Sequence, residues 1–597
     1  MAIAGTLTAL ALVLLFYYPV ATVFVDAVLV EGTVTLDPLA RVLTDPFYVG
    51  WVADLVADPV GFVGVVVTDP AAAFAGGLGL VGFTAYQALL STLASVALGL
   101  PGAWVLARFE FPGRRTLRSL TILPFVLPAV MVAVGFVAFF GAGGPLNGLL
   151  TALGLPRLGL LYTLPAIVVA HAFYNAPLVT RLTTAAWEGV DARTVETARS
   201  LGASPTRAFR DVVLPQLLPA VLVSATLTFV FTFASFPIVL ALGGFQFATV
   251  EVWVYKLAND LNYAEAAALA TVETALSITL TYLYLRFEAR QGGGGRGVRP
   301  LDRRPLLPAD WTPKATATRL AVLGYALVAA LVFLGPLVSM VVASVAGAEG
   351  VTLRNYAFLL ERQQTGASFQ VKPFTAVVNS VGFAVGALLL ALPMGVAVAA
   401  ATTRRFRGRK VVDALAMAPF AVSGIVVGLG LLRGLVFGVE VFGVRLSVGG
   451  PVAIVAAHAV AAYPFVTRNV APALGGLDRR LVESARSLGA SRTRALLDVE
   501  LPLVWPGVVA GAAFAVAISV GEFDSTVVLA SGAESYTMPV AVERLLGRRL
   551  GPATAMGVVL LVVTSLSFVV VERFGERAGE REREGADTDR DGGAFGR

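Results

Sequence analysis

Few side chains in this sequence could act in catalysis or bind a metal. The two histidines occupy equivalent positions in a sequence repeat. The chain has no cysteine and two histidines, His171 and His458, which lie 287 residues apart. A disulfide framework, a thiolate metal site and a two-histidine metal site within one half are therefore excluded. The glycine run at 291–296 is not followed by the Lys-Ser/Thr of a phosphate-binding loop. We expect no catalytic, metal or nucleotide site in this chain. We interpret each histidine as a hydrogen bond between packed helices rather than a proton relay.

Two carboxylates, Glu522 and Asp524, lie inside an otherwise apolar stretch. A carboxylate within a membrane span is costly and is a functional candidate by default. An acidic lining would suit a cationic solute, but hydration at the outer rim, or pairing with Arg544 or Arg548, remains open. Aromatic side chains could line the path of an aromatic cation, although interfacial belts use the same residue types. These candidates are Phe236, Trp253, Tyr255 and Phe523.

A polar ten-residue motif occurs twice, at Val195–Ser204 and at Val482–Ser491. In both copies Gly follows Glu by six residues, and Leu-Pro follows Glu by 18 and 19 residues. Identities continue upstream at the same offset of 287 residues in unlike residue types, which indicates an internal duplication.

The motif predicts a rigid helix-turn-helix. Asp191 to Leu201 forms a polar helix, and Gly202 permits a left-handed turn. Ser204 can cap a second short helix over 205–213, and the following Leu-Pro is expected to end that helix at the membrane entry. The second copy predicts the same elements at Asp478–Leu488, Gly489, Ser491 and 492–499.

Composition places these motifs in a membrane protein. The chain is 57% hydrophobic and 14% charged, with a mean hydropathy of +0.80, whereas soluble domains carry about 25% charged residues. We therefore predict an all-α polytopic membrane protein with two homologous six-helix halves. The first span lacks a basic leader and a cleavage site, so we interpret it as retained. The predicted spans are 5–25, 79–107, 119–141, 159–182, 217–243, 264–285, 320–346, 375–402, 411–436, 449–471, 504–530 and 553–572.

The remaining segments divide the chain and orient it. We assign 1–290 to the N-terminal half, 291–317 to a flexible Gly/Pro/Arg linker, 318–573 to the C-terminal half and 574–597 to a disordered charged tail. The loops that carry the motifs, 183–216 and 472–503, are named here the first and second motif loops. Both are rich in arginine, so they, the linker and both termini are predicted to be cytoplasmic. The acidic segment 26–78 is then external, and its apolar piece 60–67 is too short to span.

Glu-x-Ala-x-x-x-Gly with a later Leu-Pro resembles the EAA loop of permease subunits of binding-protein-dependent ABC importers. The resemblance implies a type I importer permease fold in the plasma membrane, and a coupling helix in each motif loop that docks on a separate ATP-binding subunit. Thr197 and Ser484 stand where the motif has its first alanine, a change between small residues. The docking residues implied by position are Glu196, Ala198, Arg199, Gly202 and Ala203, with Glu483, Ala485, Arg486, Gly489 and Ala490.

The resemblance also implies partners. One chain with two such loops should bind two copies of the ATPase subunit, which carry ATP and Mg, and should receive its solute from an extracytoplasmic binding protein. It implies no enzymatic activity in this chain, no cofactor of its own and no nucleic-acid partner. The fusion of two halves is similar to iron(III) and thiamine permeases, and residues 233–268 resemble the thiamine type.

Other substrates and one other class remain open. Residues 521–530 also resemble sulfate and iron permeases, so iron(III) or sulfate is an alternative to thiamine. A secondary transporter driven by an ion gradient also often has six plus six spans. The major facilitator type carries a G-x-x-x-D-R signature between spans two and three, and residues 108–115 lack it.

Overall fold

The structure is a computed structural model of the chain. It describes residues 2–69, 77–121, 127–289, 299–307, 312–347, 350–361, 370–404, 406–441 and 443–567, together with 569 and 573. The tail predicted at 574–597 and the linker residues 291–298 and 308–311 lie outside the described residues.

The first half of the chain is helical, as its apolar stretches predict. Its helices are α1 (Ile3–Asp26), α2 (Asp37–Thr44), α3 (Pro46–Val49), α4 (Val52–Ala57), α5 (Pro59–Thr68), α6 (Gly79–Arg108), α7 (Arg114–Leu120), α8 (Ala129–Phe140), α9 (Pro145–Ala152), α10 (Leu164–Glu188), α11 (Ala192–Ser200), α12 (Pro205–Phe233), α13 (Pro237–Gly243), α14 (Val250–Asn259) and α15 (Tyr263–Ala289).

The second half repeats this order. Its helices are α16 (Ala315–Ser344), α17 (Arg354–Glu361), α18 (Pro373–Thr402), α19 (Arg409–Ala421), α20 (Gly424–Val436), α21 (Gly450–Gly476), α22 (Arg479–Ser487), α23 (Arg492–Leu503), α24 (Trp505–Gly521), α25 (Asp524–Leu529), α26 (Met538–Leu546) and α27 (Leu550–Ser567).

Strands are short and lie in the connections. They are β1 (Leu29–Val30), β2 (Thr33–Val34), β3 (Phe109–Glu110), β4 (Arg304–Pro305), β5 (Ala346–Gly347), β6 (Gly350–Val351), β7 (Val439–Val441) and β8 (Val444–Leu446). The β1–β2 and β7–β8 pairs are antiparallel hairpins, and β3 pairs with β4 in parallel.

The predicted all-α architecture with about twelve spans is confirmed. Within the described residues, nine helices are long and apolar enough to cross a bilayer, and two bent pairs raise this number to eleven. The span predicted at 159–182 corresponds to α10, a continuous helix of 25 residues. Its sequence includes polar side chains such as Asn175 among the apolar ones. A 20-residue helix is about 30 Å long, which matches the apolar thickness of a bilayer.

Several predicted spans have different ends or are broken. The span expected at 119–141 begins ten residues later, at Ala129, because Pro128 adopts an extended conformation immediately before it. The span expected at 411–436 bends by 94° between α19 and α20, where Ser423 caps the second helix. Hydropathy averages over a window and does not register a break of a few residues.

The spans expected at 217–243 and 504–530 are also interrupted. In the first half α12 ends at Phe233 and α13 starts at Pro237, whose ring suits the first turn of a helix. In the second half α24 ends at Gly521 and Glu522 is extended, so α25 is a separate helix. Both interruptions fall at the same place in the duplicated sequence.

The expectation that Leu-Pro ends the short helix of the motif loop is wrong. The segment Phe209–Val213 is a π-helix, and the N–H of Leu214 donates to the carbonyl of Phe209. The wider turn carries the chain past Pro215 without a break, so one helix runs from Pro205 to Phe233. In the second copy the bend of 83° comes at Val504, after the Leu-Pro.

The first helix packs with the second half of the chain. One compact unit contains Met1–Asp26 and Glu349–Arg597, and the other contains Ala27–Ala348. In the first unit Phe16 is buried in a cluster with Leu431 and Ile454. Asp26 accepts a hydrogen bond of 2.6 Å from Arg433 Nε. The assignment of residues 1–26 to the N-terminal half therefore describes the sequence repeat and not the packing.

The seventh span packs with the first half in the other unit. The ring of Phe333 in α16 lies 5.5 Å from that of Phe173 in α10. A Cβ added at Gly135 of α8 would lie 2.8 Å from the carbonyl oxygen of Pro336, so these two helices approach closely. Each compact unit therefore contains the first membrane helix of the other half of the sequence.

The segment between the first two spans folds as short helices, α2 to α5, against the first half. Arg41 Nη1 lies 3.8 Å from Glu265 Oε2, and the hydroxyl of Tyr48 donates to the same carboxylate. Burial raises the pKa of Tyr48, and the adjacent Glu265 raises it further. The apolar piece predicted at 60–67 lies in α5, which has ten residues and is too short to span.

Candidate functional site: the two motif loops

Each motif loop begins with a capped helix. Asp191 and Asp478 precede α11 and α22, and each carboxylate accepts a hydrogen bond of 3.0 Å from the N–H two residues later. A short polar side chain at this position satisfies one of the free N–H groups at the start of a helix. The bond from the Arg193 N–H holds the pKa of Asp191 below its usual value.

Each helix ends in a glycine turn whose hydrogen bonds are the same in both copies. Gly202 has φ +89 and Gly489 has φ +91. The N–H of Ala203 donates to the carbonyl of Ala198 at 3.0 Å, and the N–H of Gly202 donates to that of Arg199 at 3.1 Å. This pair of bonds is a Schellman motif, in which glycine takes the left-handed position. The second copy repeats both bonds at Ala490–Ala485 and Gly489–Arg486.

The turn leads directly into a second capped helix. The hydroxyl oxygens of Ser204 and Ser491 accept hydrogen bonds of 3.2 Å from the N–H groups of Arg207 and Arg494. The predicted helix-turn-helix is therefore present twice. The glycine of the motif is explained by backbone geometry, because it takes the left-handed position of the turn that fixes the angle between the two helices.

The charged motif residues are exposed on the surface of the loops. Glu196 and Arg199 in the first copy, and Glu483 and Arg486 in the second, are all open to solvent. They have no role in the core of the loop, although Glu196 Oε1 lies 3.7 Å from Arg299 Nη1.

An apolar residue at the tip of each loop was not among the predicted site residues. Leu201 is 83% exposed and Leu488 is 88% exposed, and each directly precedes the turn glycine. Each is a large aliphatic side chain held in water at the apex of its loop. The signal was present in the sequence, because leucine occupies this position in both copies.

The intramembrane candidates lie at the helix interruptions. In the second half Glu522 Oε2 lies 3.1 Å from His458 Nε2, and the carboxylate also accepts the N–H groups of Ser525 and Thr526. His458 Nδ1 lies 2.8 Å from the hydroxyl of Ser519. The histidine joins helices through hydrogen bonds, as the sequence interpretation proposes.

The first half has the same arrangement without the charge. His171 lies between two hydroxyls, at 2.9 Å from Ser91 and 2.8 Å from Ser235. Ser235 precedes Glu522 by 287 residues, so the two side chains are equivalent in the duplication. Only the second half therefore places a carboxylate at this interruption.

The aromatic candidates do not form one group. Phe236 and Tyr255 are buried and meet edge to face at 5.3 Å. Trp253 instead contacts Phe47 of α3, with ring centroids 4.8 Å apart, and Lys256 Nζ lies 4.8 Å from the centroid of the Trp253 ring. Phe523 is the equivalent of Phe236 in the duplication and is likewise buried beside its helix interruption.

Comparison with known proteins identifies the family. Two segments, residues 99–291 and 391–579, match the family described as binding-protein-dependent transport system inner membrane component. Together they cover more than half of the chain. The chain belongs to this family. Each match contains one motif loop, so the permease is a fused duplication, as the sequence predicts.

Two thiamine permeases align with most of the length of this permease, and a sulfate permease aligns with part of it. It is 29% identical to the thiamine transport system permease protein ThiP of Brucella abortus. The 497 aligned residues cover 82% of this chain and 86% of that protein. It is 29% identical over 513 residues to ThiP of Escherichia coli, which covers 83% and 89%. The sulfate transport system permease protein CysT of Salmonella typhimurium is 29% identical over 212 residues, covering 35% of this chain and 76% of that protein.

Family membership has direct consequences. The permease is a multi-pass inner-membrane transport subunit and has a non-catalytic role. A binding-protein-dependent system implies a solute-binding protein and an ATPase as partners.

Proposed function

We propose that this permease is the membrane subunit of an ATP-driven importer that moves thiamine into the cytoplasm. The observation that carries the proposal is the pair of helix-turn-helix loops with identical hydrogen bonds. The likeness to thiamine permeases over more than four-fifths of the chain supports the substrate.

The motif loops are the proposed docking sites for two copies of the ATPase subunit. Each presents a leucine at its apex and a Glu–Arg pair on its helix, so that an apolar contact is surrounded by charged ones. A fixed Schellman turn transmits a displacement of the loop to the span that follows it. ATP and Mg are bound by the partner subunits, and this chain supplies no cofactor site.

Transport then follows from differential binding. A ligand shifts a conformational equilibrium only by its difference in affinity for the two states. ATP-bound ATPase subunits must therefore favour the outward-facing state of the permease through contacts at the motif loops. The binding protein delivers the solute on the other side, where the external helices α2 to α5 lie. Both termini are proposed to be cytoplasmic, as the arginine-rich loops indicate.

The substrate assignment agrees with the charge of the intramembrane site. Thiamine is an aromatic cation, and Glu522 supplies a carboxylate where the equivalent position in the first half is Ser235. An anion such as sulfate would be repelled by the same carboxylate when both are desolvated. The sulfate relative also matches only about one-third of the chain.

The test is the ATPase activity of the reconstituted complex with its binding protein. We expect binding protein loaded with thiamine to stimulate hydrolysis, and binding protein exposed to iron(III) or sulfate to leave it at the basal rate. Stimulation by iron(III) or sulfate alone would retain the importer and overturn the substrate. Uptake driven by an ion gradient without any ATPase would overturn the importer itself.

A further inference from the structure

The second part of the linker, residues 299–307, lies along the base of the first motif loop and is named here the strap. Its strand β4 pairs in parallel with β3, and the N–H of Leu306 donates to the carbonyl of Glu110 at 3.0 Å. The strap is also held from its other end. Arg319, at the start of α16, donates to the carbonyl of Leu306 at 2.7 Å.

A cluster of charges fixes the strap to Glu188, the last residue of the helix before the first motif loop helix. Glu188 ends α10 and lies within 3.1 Å of three guanidinium groups, those of Arg114, Arg118 and Arg303. Arg114 is buried, and its Nε donates to the carbonyl of Leu106 at 2.8 Å. Charged hydrogen bonds around a partly buried group are stronger than exposed ion pairs. Arg303 therefore connects the strap to a well-fixed point.

The strap also contacts the motif helix itself. The N–H of Ala192, the first residue of α11, donates to the carbonyl of Arg299 at 2.8 Å. The N–H groups of the first turn have no acceptor within their own helix, so the strap carbonyl acts as a second cap beside Asp191. The guanidinium of Arg299 lies 3.7 Å from Glu196 Oε1, the acidic residue of the motif.

An apolar contact completes this attachment. Leu301 packs on a small cluster beneath the loop that contains Trp187, Val190, Val213 and Leu217. Ala192 is consequently buried, with 3% of its surface exposed. The base of the first motif loop is thus a miniature core to which the strap contributes a side chain.

The second motif loop lacks this attachment among the described residues. The equivalent of Glu188 is Gly475, so the charge cluster cannot form there. The equivalent of Ala192 is Arg479, which is exposed, and no residue of α22 is buried. Within the described ranges, Arg404 after α18 pairs with the buried Glu500 of the second motif loop, but no ion pair or strand from another segment reaches its first helix at 478–491.

We propose that the strap makes the two ATPase docking sites unequal, the first being held more rigidly than the second. The consequence for docking rests on the proposed function, whereas the difference in rigidity does not. A partner that binds a preformed loop loses less conformational freedom and binds more tightly. The first motif loop is therefore the tighter site.

Hydrogen exchange of the full chain tests the rigidity without an ATPase. We expect amide protection in 190–200 to exceed that in 477–487 by about tenfold or more, which corresponds to about 1.4 kcal/mol. Leu301→Asp and, separately, Arg303→Ala should lower protection in the first loop only. Arg304→Ala is the matched control, because this neighbouring exposed side chain forms no ion pair within the described residues. Equal protection in both loops of the wild type, or no effect of either strap variant, would overturn the proposal.

Cross-linking tests the docking. The chain has no cysteine, so Ser200→Cys and Ser487→Cys each report one loop. We expect the cross-link from residue 200 to the purified ATPase subunit to half-saturate at a several-fold lower ATPase concentration than that from residue 487. Leu301→Asp should remove the difference. Equal half-saturation from residues 200 and 487 with the strap unchanged contradicts the strap proposal and leaves the importer intact. Failure of both cross-links contradicts the importer, and hydrogen exchange still decides the strap.

Discussion

At the scale of single residues, the motif is a set of backbone requirements with a few exposed side chains added. Gly202 and Gly489 occupy left-handed conformations, and Ala198 and Ala485 supply the carbonyls that close the turns. The glutamate and arginine of each copy take no part in the turn. The motif therefore combines residues that shape the loop with residues that a partner can touch.

We expect Gly202→Pro to abolish co-purification of the ATPase at the first loop, and Gly489→Pro to do the same at the second. Proline fixes φ near −65° and removes the N–H that donates to Arg199 or Arg486. Gly202→Asn is the control, because asparagine tolerates the left-handed region. Membrane insertion should be unchanged in all three variants. Normal ATPase recovery with both proline variants would show that these loops do not dock the ATPase.

Protonation of Asp191 should loosen the first motif loop, so the order of this loop should decrease as the pH falls. The Arg193 N–H lowers the pKa of Asp191 in the folded loop, below the value of about 3.9 found in unfolded chains. The cap is therefore fully present above pH 4 and is lost as the pH falls through the lowered pKa. A spin label at Ser200→Cys should keep constant mobility from pH 8 to pH 5 and become more mobile only below about pH 4. Asp191→Asn should remove this change, and a transition near neutral pH would contradict the assignment.

Glu522→Gln should reduce thiamine uptake by about tenfold or more, because a cation loses its opposite charge in a medium of low dielectric constant. Glutamine has nearly the same shape and can still hydrogen-bond to His458. The matched control is Ser235→Ala, which removes one hydrogen bond to the other histidine and no charge. Uptake measured in vesicles should fall far less in this control. Equal effects of the two changes would show that the charge has no role in transport.

At the scale of elements, the two motif loops depend on capping and on a wide helical turn. Ser204 caps the helix that continues into the membrane, and the π-helical segment Phe209–Val213 lets that helix pass Pro215. A displaced loop is therefore connected to a long, continuous helix in the first half. In the second half the corresponding helix bends by 83° at Val504.

We expect Ser204→Ala to cost the short helix about 1 kcal/mol, the usual effect of losing an N-cap. Affinity for the ATPase should fall by up to about fivefold, since 1.4 kcal/mol corresponds to tenfold. Ser200→Ala is the control, because its hydroxyl donates to Thr197 within the helix and caps nothing. Titration of ATPase binding distinguishes the two, and equal losses would contradict a capping role for Ser204.

At the scale of the whole molecule, the two sequence halves exchange their leading helices. The first span packs in the unit of the second half, and the seventh packs in that of the first. A Cβ at Gly434 would lie 3.2 Å from Thr22 Cγ2, so these positions are within reach of a disulfide.

We expect Thr22→Cys with Gly434→Cys to form a disulfide on mild oxidation. With a protease site inserted at residues 291–298, cleavage should leave one band on a non-reducing gel and two bands after reduction. Either single variant should give two bands under both conditions. Failure of the double variant to hold the fragments together would contradict the exchange of the first helix.

The sequence alone determined the class, the number of spans and both motif loops. Hydropathy reports burial in lipid, and the capping residues Asp191, Gly202 and Ser204 act on their own neighbours within a few residues. Their geometry is local, so it could be predicted from spacing. The helix interruptions at 234–236 and 522–523 were missed, because a span that breaks inside the membrane has the same composition as one that does not.

Only the tertiary structure decided which segments meet. The exchange of the leading helices, the pairing of Glu522 with His458 and the strap beneath the first motif loop all join residues far apart in the chain. Such contacts depend on how helices pack, and the duplication suggests a symmetry that packing does not preserve. The sequence repeats the motif loops faithfully, but Glu188, which joins the first loop to the strap, is matched by Gly475, which has no side chain to make such a contact.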